Sequence, residues 1–150
     1  MMRKMMIAAA LVLATGGFSF AQVSVSAGEQ TVELTKEQLA ELPQTTIETS
    51  TAWTEGKHKF TGPTFGAVLD AAGLAGETVT IYALDGYGVA IPRANLTADG
   101  AIMAASMDDG PVPEDKAPYW LIFPYDQSPE MNDKQHQDWS IWAIEKIELE

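Results

Sequence analysis

The sequence predicts an α+β fold in a single domain, with mixed β-sheets and a few short helices. Three observations lead there. Short runs rich in β-branched and aromatic residues recur along the chain, cut by Asp-Gly, Gly and Pro turn signals. Helix-period stretches are brief and too sparse for the regular strand–helix alternation of a doubly wound sheet. Finally, 150 residues without a single Cys suit one core that needs no disulfide or thiolate metal staple.

The N-terminus reads as a secretory signal peptide over residues 1–21. Arg3-Lys4 is a positive n-region, the apolar run that follows is too short to span a bilayer, and Ser19-Phe20-Ala21 is a small-x-small cleavage site before Gln22. The mature domain would then be residues 22–150, periplasmic or secreted, without a membrane-inserted segment. Cleavage removes Arg3 and Lys4 and no acid. Nine basic residues become seven against 21 acidic ones, a net charge of −14. So acidic a chain is a poor match for nucleic acid or an anionic membrane surface, both of which need a basic stripe.

The elements follow in order. Residues 22–34 alternate polar and apolar and predict one or two strands. Thr35-Lys-Glu-Gln38 is a capping box for a short helix over 36–42, stopped by Pro43. Residues 44–53 are β-branched with near period-two alternation and predict a strand. After a 54–56 turn, Lys57-His58-Lys59 is the one dense basic cluster of the mature chain, either a local spot for an anion or a solvated strand end. Pro63 suits the first position of a helix over 63–72, with Phe65, Val68, Leu69 and Ala72 at helical spacing and Gly73 as its stop.

Gly76 introduces a strand over 78–84. Asp85-Gly86 predicts a tight turn, residues 87–91 the returning strand, and Pro92 its end. Tyr87, between Gly86 and Gly88, is either a half-buried turn residue or a ring whose hydroxyl reaches a pocket. Residues 93–100 predict one helical turn and a loop, 101–107 a strand, and 112–118 a loop. Residues 119–124 form a continuous apolar run, hence a strand buried on both faces. Residues 125–138 read as a long polar connection of the kind that forms lids and rims, and 144–149 as the last strand.

Four signals stand in one order: Phe60-Thr-Gly-Pro63 before a helix ending Ala71-Ala72-Gly73; Ala83-Leu-Asp-Gly-Tyr87 with Ile91-Pro92; Ile102-Met-Ala-Ala105 with Asp109-Gly110-Pro111-Val112-Pro113; and Ala117-Pro118-Tyr-Trp-Leu-Ile-Phe-Pro124 with the end that begins at Trp142. Over about 45–149 the chain resembles the molybdopterin-binding domain of the sulfite oxidase family, most of all the small exported members made of that domain alone. The resemblance implies a mixed α+β fold with a loop-built pocket, and molybdopterin as the cofactor of active members. It implies that a Cys thiolate should ligate molybdenum on the strand matching Thr46-Ile-Glu-Thr49. Thr49 or Ser50 stands there instead, and a hydroxyl is a hard, weakly acidic replacement for a soft thiolate. Basic residues that grip the pterin phosphate are poorly matched too, with Lys134, His136 and Lys146 the only candidates. The family's tyrosine near the metal oxygens maps onto Tyr87.

These residues suggest a noncatalytic module, holding no cofactor, that binds a small ligand or a periplasmic or membrane protein partner. Its pocket candidates are Thr49, Ser50, Trp53, His58, Tyr87, Arg93 and Trp120. Each has a plainer reading: Trp53 and Trp120 as core or rim aromatics, Arg93 as a surface ion pair, His58 as a solvated residue. The alternative is a molybdopterin-dependent oxidoreductase with the metal resting on the dithiolene alone. A third reading is an acidic partner of a larger exported or membrane protein. His58 and His136 without Cys make a poor zinc set, no Gly-rich phosphate loop is present, and no Ser sits in a nucleophile elbow. Thr49 and Tyr87 are expected to face one cavity.

Overall fold

An apolar row crosses five strands and fixes the main sheet. The computed structural model describes residues 22–150; the signal-peptide reading lies outside them. The strands are β1 (Val23–Ala27), β2 (Gln30–Leu34), β5 (Thr78–Ala83), β6 (Gly88–Pro92) and β11 (Ile144–Leu149), in the order β2-β1-β11-β5-β6. Val32, Val25, Ile147, Ile81 and Val89 are successive cross-strand partners. The three central members are completely buried, and burying each such side chain contributes about 1.5–3 kcal/mol. β11 pairs parallel with β1 and antiparallel with β5, so the last strand fills the middle of the sheet. A bulge between Ile144 and Lys146 lets Ile144, Ile147 and Leu149 all face inward despite their uneven spacing.

A second, antiparallel sheet contains β3 (Gln44–Thr49), β4 (His58–Pro63), β8 (Ser106–Met107) and β9 (Gly110–Pro111). Between the sheets lie β7 (Ile102–Ala104) and β10 (Trp120–Ile122), paired antiparallel, with all six residues completely buried. β7 joins the second sheet through the Thr64–Ile102 bridge and the Ala105 N–H, which donates to Thr61 O at 2.9 Å. β10 joins the approach to β11 through the Trp120–Trp142 bridge and the Leu121 N–H, which donates to Ile141 O at 2.9 Å. Residues 119–124 thus carry the expected doubly buried strand.

Local chemistry sets the helices. In α1 (Lys36–Glu41) the Thr35 hydroxyl accepts from the Gln38 N–H at 3.1 Å and the Gln38 side chain accepts from the Thr35 N–H at 2.8 Å, the capping box read from sequence. The helix expected from Pro63 begins later, as α2 (Phe65–Ala72). Pro63 is the last residue of β4, where its missing N–H costs the ladder nothing, and the Thr64 hydroxyl caps the helix by accepting from the Ala67 N–H at 3.1 Å. Gly73 ends it at φ +70°. The 93–100 turn is α3 (Arg93–Ala98), and the long connection holds two short 3-10 turns, Tyr125–Gln127 and Pro129–Asn132, before α4 (Lys134–Trp139).

Two expected strands are shorter. The first stops at Thr49 because the Thr51 hydroxyl accepts the Trp53 N–H at 3.1 Å and meets the Thr54 hydroxyl at 2.8 Å, a local turn that competes with the ladder. Residues 101–107 divide at Ala105 between β7 and β8, which pair with different neighbours.

The close approach of β4 to β7 depends on Gly62. A Cβ there would sit 2.1 Å from Met103 O and 2.9 Å from Ala104 Cα, backbone atoms that cannot turn aside. Gly62→Ala is therefore expected to cost about 1–3 kcal/mol, read as a lowered urea midpoint. Gly66→Ala, in α2 with only Thr97 Cγ2 at 3.6 Å, is expected to hold or raise the midpoint, by up to about 1 kcal/mol.

Candidate ligand-binding site

The β5–β6 corner places Tyr87. Gly86 takes φ +93°, the Asp85 carboxylate accepts the Tyr87 N–H at 3.0 Å, and the Ala83 N–H donates to Tyr87 O at 2.8 Å. The turn is thus tied to both its own side chain and the ladder. The Tyr87 ring stands 58 % exposed, at the mouth of a cavity of about 370 Å³.

Trp53 and Trp142 form the cavity's aromatic wall, with ring centroids 5.7 Å apart and planes at 79°. Behind them is Trp120, completely buried, 6.0 Å from Trp53, 6.1 Å from Trp142 and 5.5 Å from Phe60, in edge-to-face contacts throughout. Such contacts stabilise by about 0.5–1.5 kcal/mol each beyond area burial and fix ring orientation. The Lys116 ammonium lies 4.3 Å from the Trp142 ring centroid and 5.2 Å from that of Trp120. Asp85, Gln137, Asp138 and Ser140 complete the polar part of the lining.

Of the residues expected at a pocket, Trp53 and Tyr87 share this cavity, and Trp120 supports it from the core. Thr49 does not face it. Its side chain is completely buried, and its hydroxyl donates to Ser50 O at 2.9 Å and accepts the Asp126 N–H at 3.1 Å. The Ser50 hydroxyl and N–H both donate to the Asp126 carboxylate, at 2.6 and 2.9 Å, and hold that carboxyl below its ordinary range. Thr49 and Ser50 are therefore a latch that fixes the Tyr125–Gln127 turn to the end of β3. The expectation that Thr49 and Tyr87 face one cavity is corrected by this bonding.

His58 and Arg93 also lie elsewhere. His58 Nδ1 is 2.6 Å from Asp108 Oδ2 and Nε2 is 2.8 Å from Glu55 O. The hydrogen bond to Asp108 leads the effects that raise the imidazole pKa above 6.5. Lys57 faces Asp126 at 3.9 Å and Lys59 faces Asp109 at 3.1 Å, so each member of the basic cluster has its own acid. Arg93 Nη1 donates to Leu74 O at 3.0 Å and Gly76 O at 3.3 Å. It clips the loop after α2, and forms no ion pair among the described residues, beside a separate open groove that includes Glu77 and Glu150.

The long connection packs against this site by a buried histidine. His136 is 8 % exposed, with Nδ1 2.7 Å from Asp133 and Nε2 2.8 Å from Asp99. The two carboxylates use opposite sides of the ring. The Ser140 hydroxyl donates to His136 O at 2.7 Å, which leaves the buried Tyr125 hydroxyl to donate to Ser140 Oγ. Burial pushes the Tyr125 pKa up to about 12. These bonds hold α4, which carries Gln137 and Asp138 to the cavity rim. Among the described residues no set of three His, Asp or Glu side chains converges as a metal site.

Sequence reasoning missed Trp142 and Asp85 as wall residues, although both stood in quoted motifs; Asp85 was read only for its turn. No local signal pointed to Asp126 or Asp99, whose partners are 76 and 37 residues away. Compared with family models and with curated proteins, the chain matches none.

For His136, burial opposes the charged form, but the hydrogen bonds and charges of Asp99 and Asp133 outweigh it and raise the pKa above 6.5. A raised folded-state pKa means that this stabilisation is complete below about pH 6.5 and is lost as pH rises through the folded value. The melting temperature is expected to fall across that alkaline-going window, and His136→Gln to flatten the fall. His58→Gln serves as the control for the second histidine, whose pKa is displaced in the same direction. A profile unchanged by His136→Gln contradicts this assignment.

Proposed function

We propose that this protein is an exported, noncatalytic binding module built on a molybdopterin-binding-domain-type fold of the sulfite oxidase kind, with its small-molecule site between Trp53, Tyr87 and Trp142. The observation that carries the reading is the aromatic cavity itself. It has ligand-pocket dimensions, about 370 Å³, and walls braced by a buried aromatic cluster, which suits a preformed site. The mixed α+β architecture, with several sheets and short helices, is compatible with the domain type that the sequence resembles.

The donor chemistry supports a noncatalytic role. The resemblance puts the family's thiolate at Thr49 or Ser50; the Thr49 hydroxyl is committed to Ser50 O and the Asp126 N–H, and the Ser50 hydroxyl to the Asp126 carboxylate. The candidate cations for a pterin phosphate are paired as well: Lys134 with Asp138 at 2.7 Å, His136 with two aspartates, and Lys146 with Glu148 at 3.2 Å. These residues do not fit a dithiolene-held molybdenum or its phosphate. Tyr87 remains as a wall with a hydrogen-bonding tip. A partner surface on an exported or membrane protein would use the same rim, through Tyr87 and α4.

Metal and pterin analysis of the protein purified from its native host tests the reading. The expected result is neither molybdenum nor pterin in stoichiometric amount. One molybdenum and one pterin per chain would overturn it in favour of an oxidoreductase.

A further inference from the structure

We propose that the Trp53–Tyr87–Trp142 cavity selects small organic cations, ammonium compounds above all; this rests on the binding-module reading and specifies its ligand. Three electron-rich rings contribute to one small cavity, and Trp53 and Trp142 meet there at 79°. The negative face of an aromatic ring attracts a cation, most strongly for Trp, and the attraction grows when water is excluded. Trp142 already does this within the protein: the Lys116 ammonium lies 4.3 Å from its centroid, on a side chain only 13 % exposed.

The charge around the rings has the matching sign. Asp85 and Asp138 line the cavity, and among the described residues its lining includes no Lys, Arg or His. Asp138 is paired with Lys134 at 2.7 Å. Asp85 forms no ion pair among the described residues, and accepts the Tyr87 N–H through one oxygen. Asp85 and Tyr87 line the cavity together. An anion entering here would meet the Asp85 carboxylate, which no ion pair among the described residues compensates, a desolvation and repulsion cost that an ammonium ion avoids. The acidic chain, at −12 over the full sequence, adds a long-range field that draws cations in. The volume, about 370 Å³, lies near the lower end of small-molecule sites, which begin at about 300 Å³. That suits a small amine or quaternary ammonium compound rather than a nucleotide-sized cofactor.

The test is calorimetric titration of the full mature chain with choline, with its neutral carbon isostere 3,3-dimethylbutan-1-ol, and with inorganic phosphate. Choline is expected to bind at least about tenfold more tightly than the isostere, to weaken as salt is raised, and to outbind phosphate. Asp85→Asn keeps the turn-forming oxygen and removes the charge, and is expected to reduce choline affinity severalfold. Tyr87→Leu, at an exposed position, is expected to do the same. Equal binding of choline and the isostere would overturn the cation preference and leave the binding module standing. Tighter binding of phosphate, or choline affinity indifferent to both substitutions, would also overturn the proposal. Absence of choline binding up to tens of millimolar would likewise overturn the cation proposal, while the binding-module reading is decided separately by the molybdenum and pterin analysis.

Discussion

The structure depends on the burial of one ring, that of Trp120. It stands on β10, the strand that joins the two sheets, and it touches Phe60 of β4, Trp53 of the turn after β3 and Trp142 on the approach to β11. Two stretches far apart in sequence, residues 53–60 and the approach to β11, are brought together by edge-to-face contact with that single side chain. Among the described residues its Nε1–H is buried and has no hydrogen-bond partner. Burying such a donor carries a penalty of about 1–3 kcal/mol, opposed here by the ring's packing. A ring fully enclosed on all sides leaves its neighbours little freedom, so the cavity wall is stiff before any ligand arrives.

That stiffness links fold to function. Trp53 is set by a Thr51 hydroxyl turn, Trp142 by its bridge to Trp120, and Tyr87 by the Asp85-Gly86 corner. The first two are tied to the core and the third is largely exposed, so the site has a rigid wall and an accessible rim. The acidic residues of the rim come from the same two devices that hold the backbone: Asp85 from the β5–β6 turn, Asp138 from α4, which His136 fastens to Asp99. Thr49 and Ser50 anchor the Tyr125–Gln127 turn, and the cavity offers aromatic faces and carboxylates.

Much of the fold was legible because its signals are local. The Thr35/Gln38 box, the Gly73 stop, the Asp85-Gly86 corner and the doubly buried run at Trp120 each depend on residues within a few positions. What was illegible depends on pairing. Nothing in residues 101–107 shows that β7 and β8 part company, since that follows from the approach of Met103 to Gly62. The sequence places Pro63 at the first position of α2, whereas β4 extends through Pro63 and the helix starts at Phe65 under a Thr64 cap. At the site, Trp53 and Tyr87 could be proposed from their own surroundings. Thr49, His58 and Arg93 could not be judged, because their roles are set by Asp126, Asp108 and the Leu74 carbonyl, none of them a sequence neighbour. Trp142 and Asp85 acquire meaning only when β5 and the approach to β11 lie side by side.

The proposed ligand position is against the Trp53–Trp142 wall and not elsewhere on an acidic surface. The protein has four tryptophans, so the indole N–H signals of a proton–nitrogen correlation spectrum report on location directly. Trp139 packs on His136 and Phe123 and serves as an internal reference. As choline is added, the Trp53 and Trp142 indole signals are expected to move saturably while that of Trp139 stays in place. Movement of Trp139 with Trp53 and Trp142 unmoved would place the ligand elsewhere.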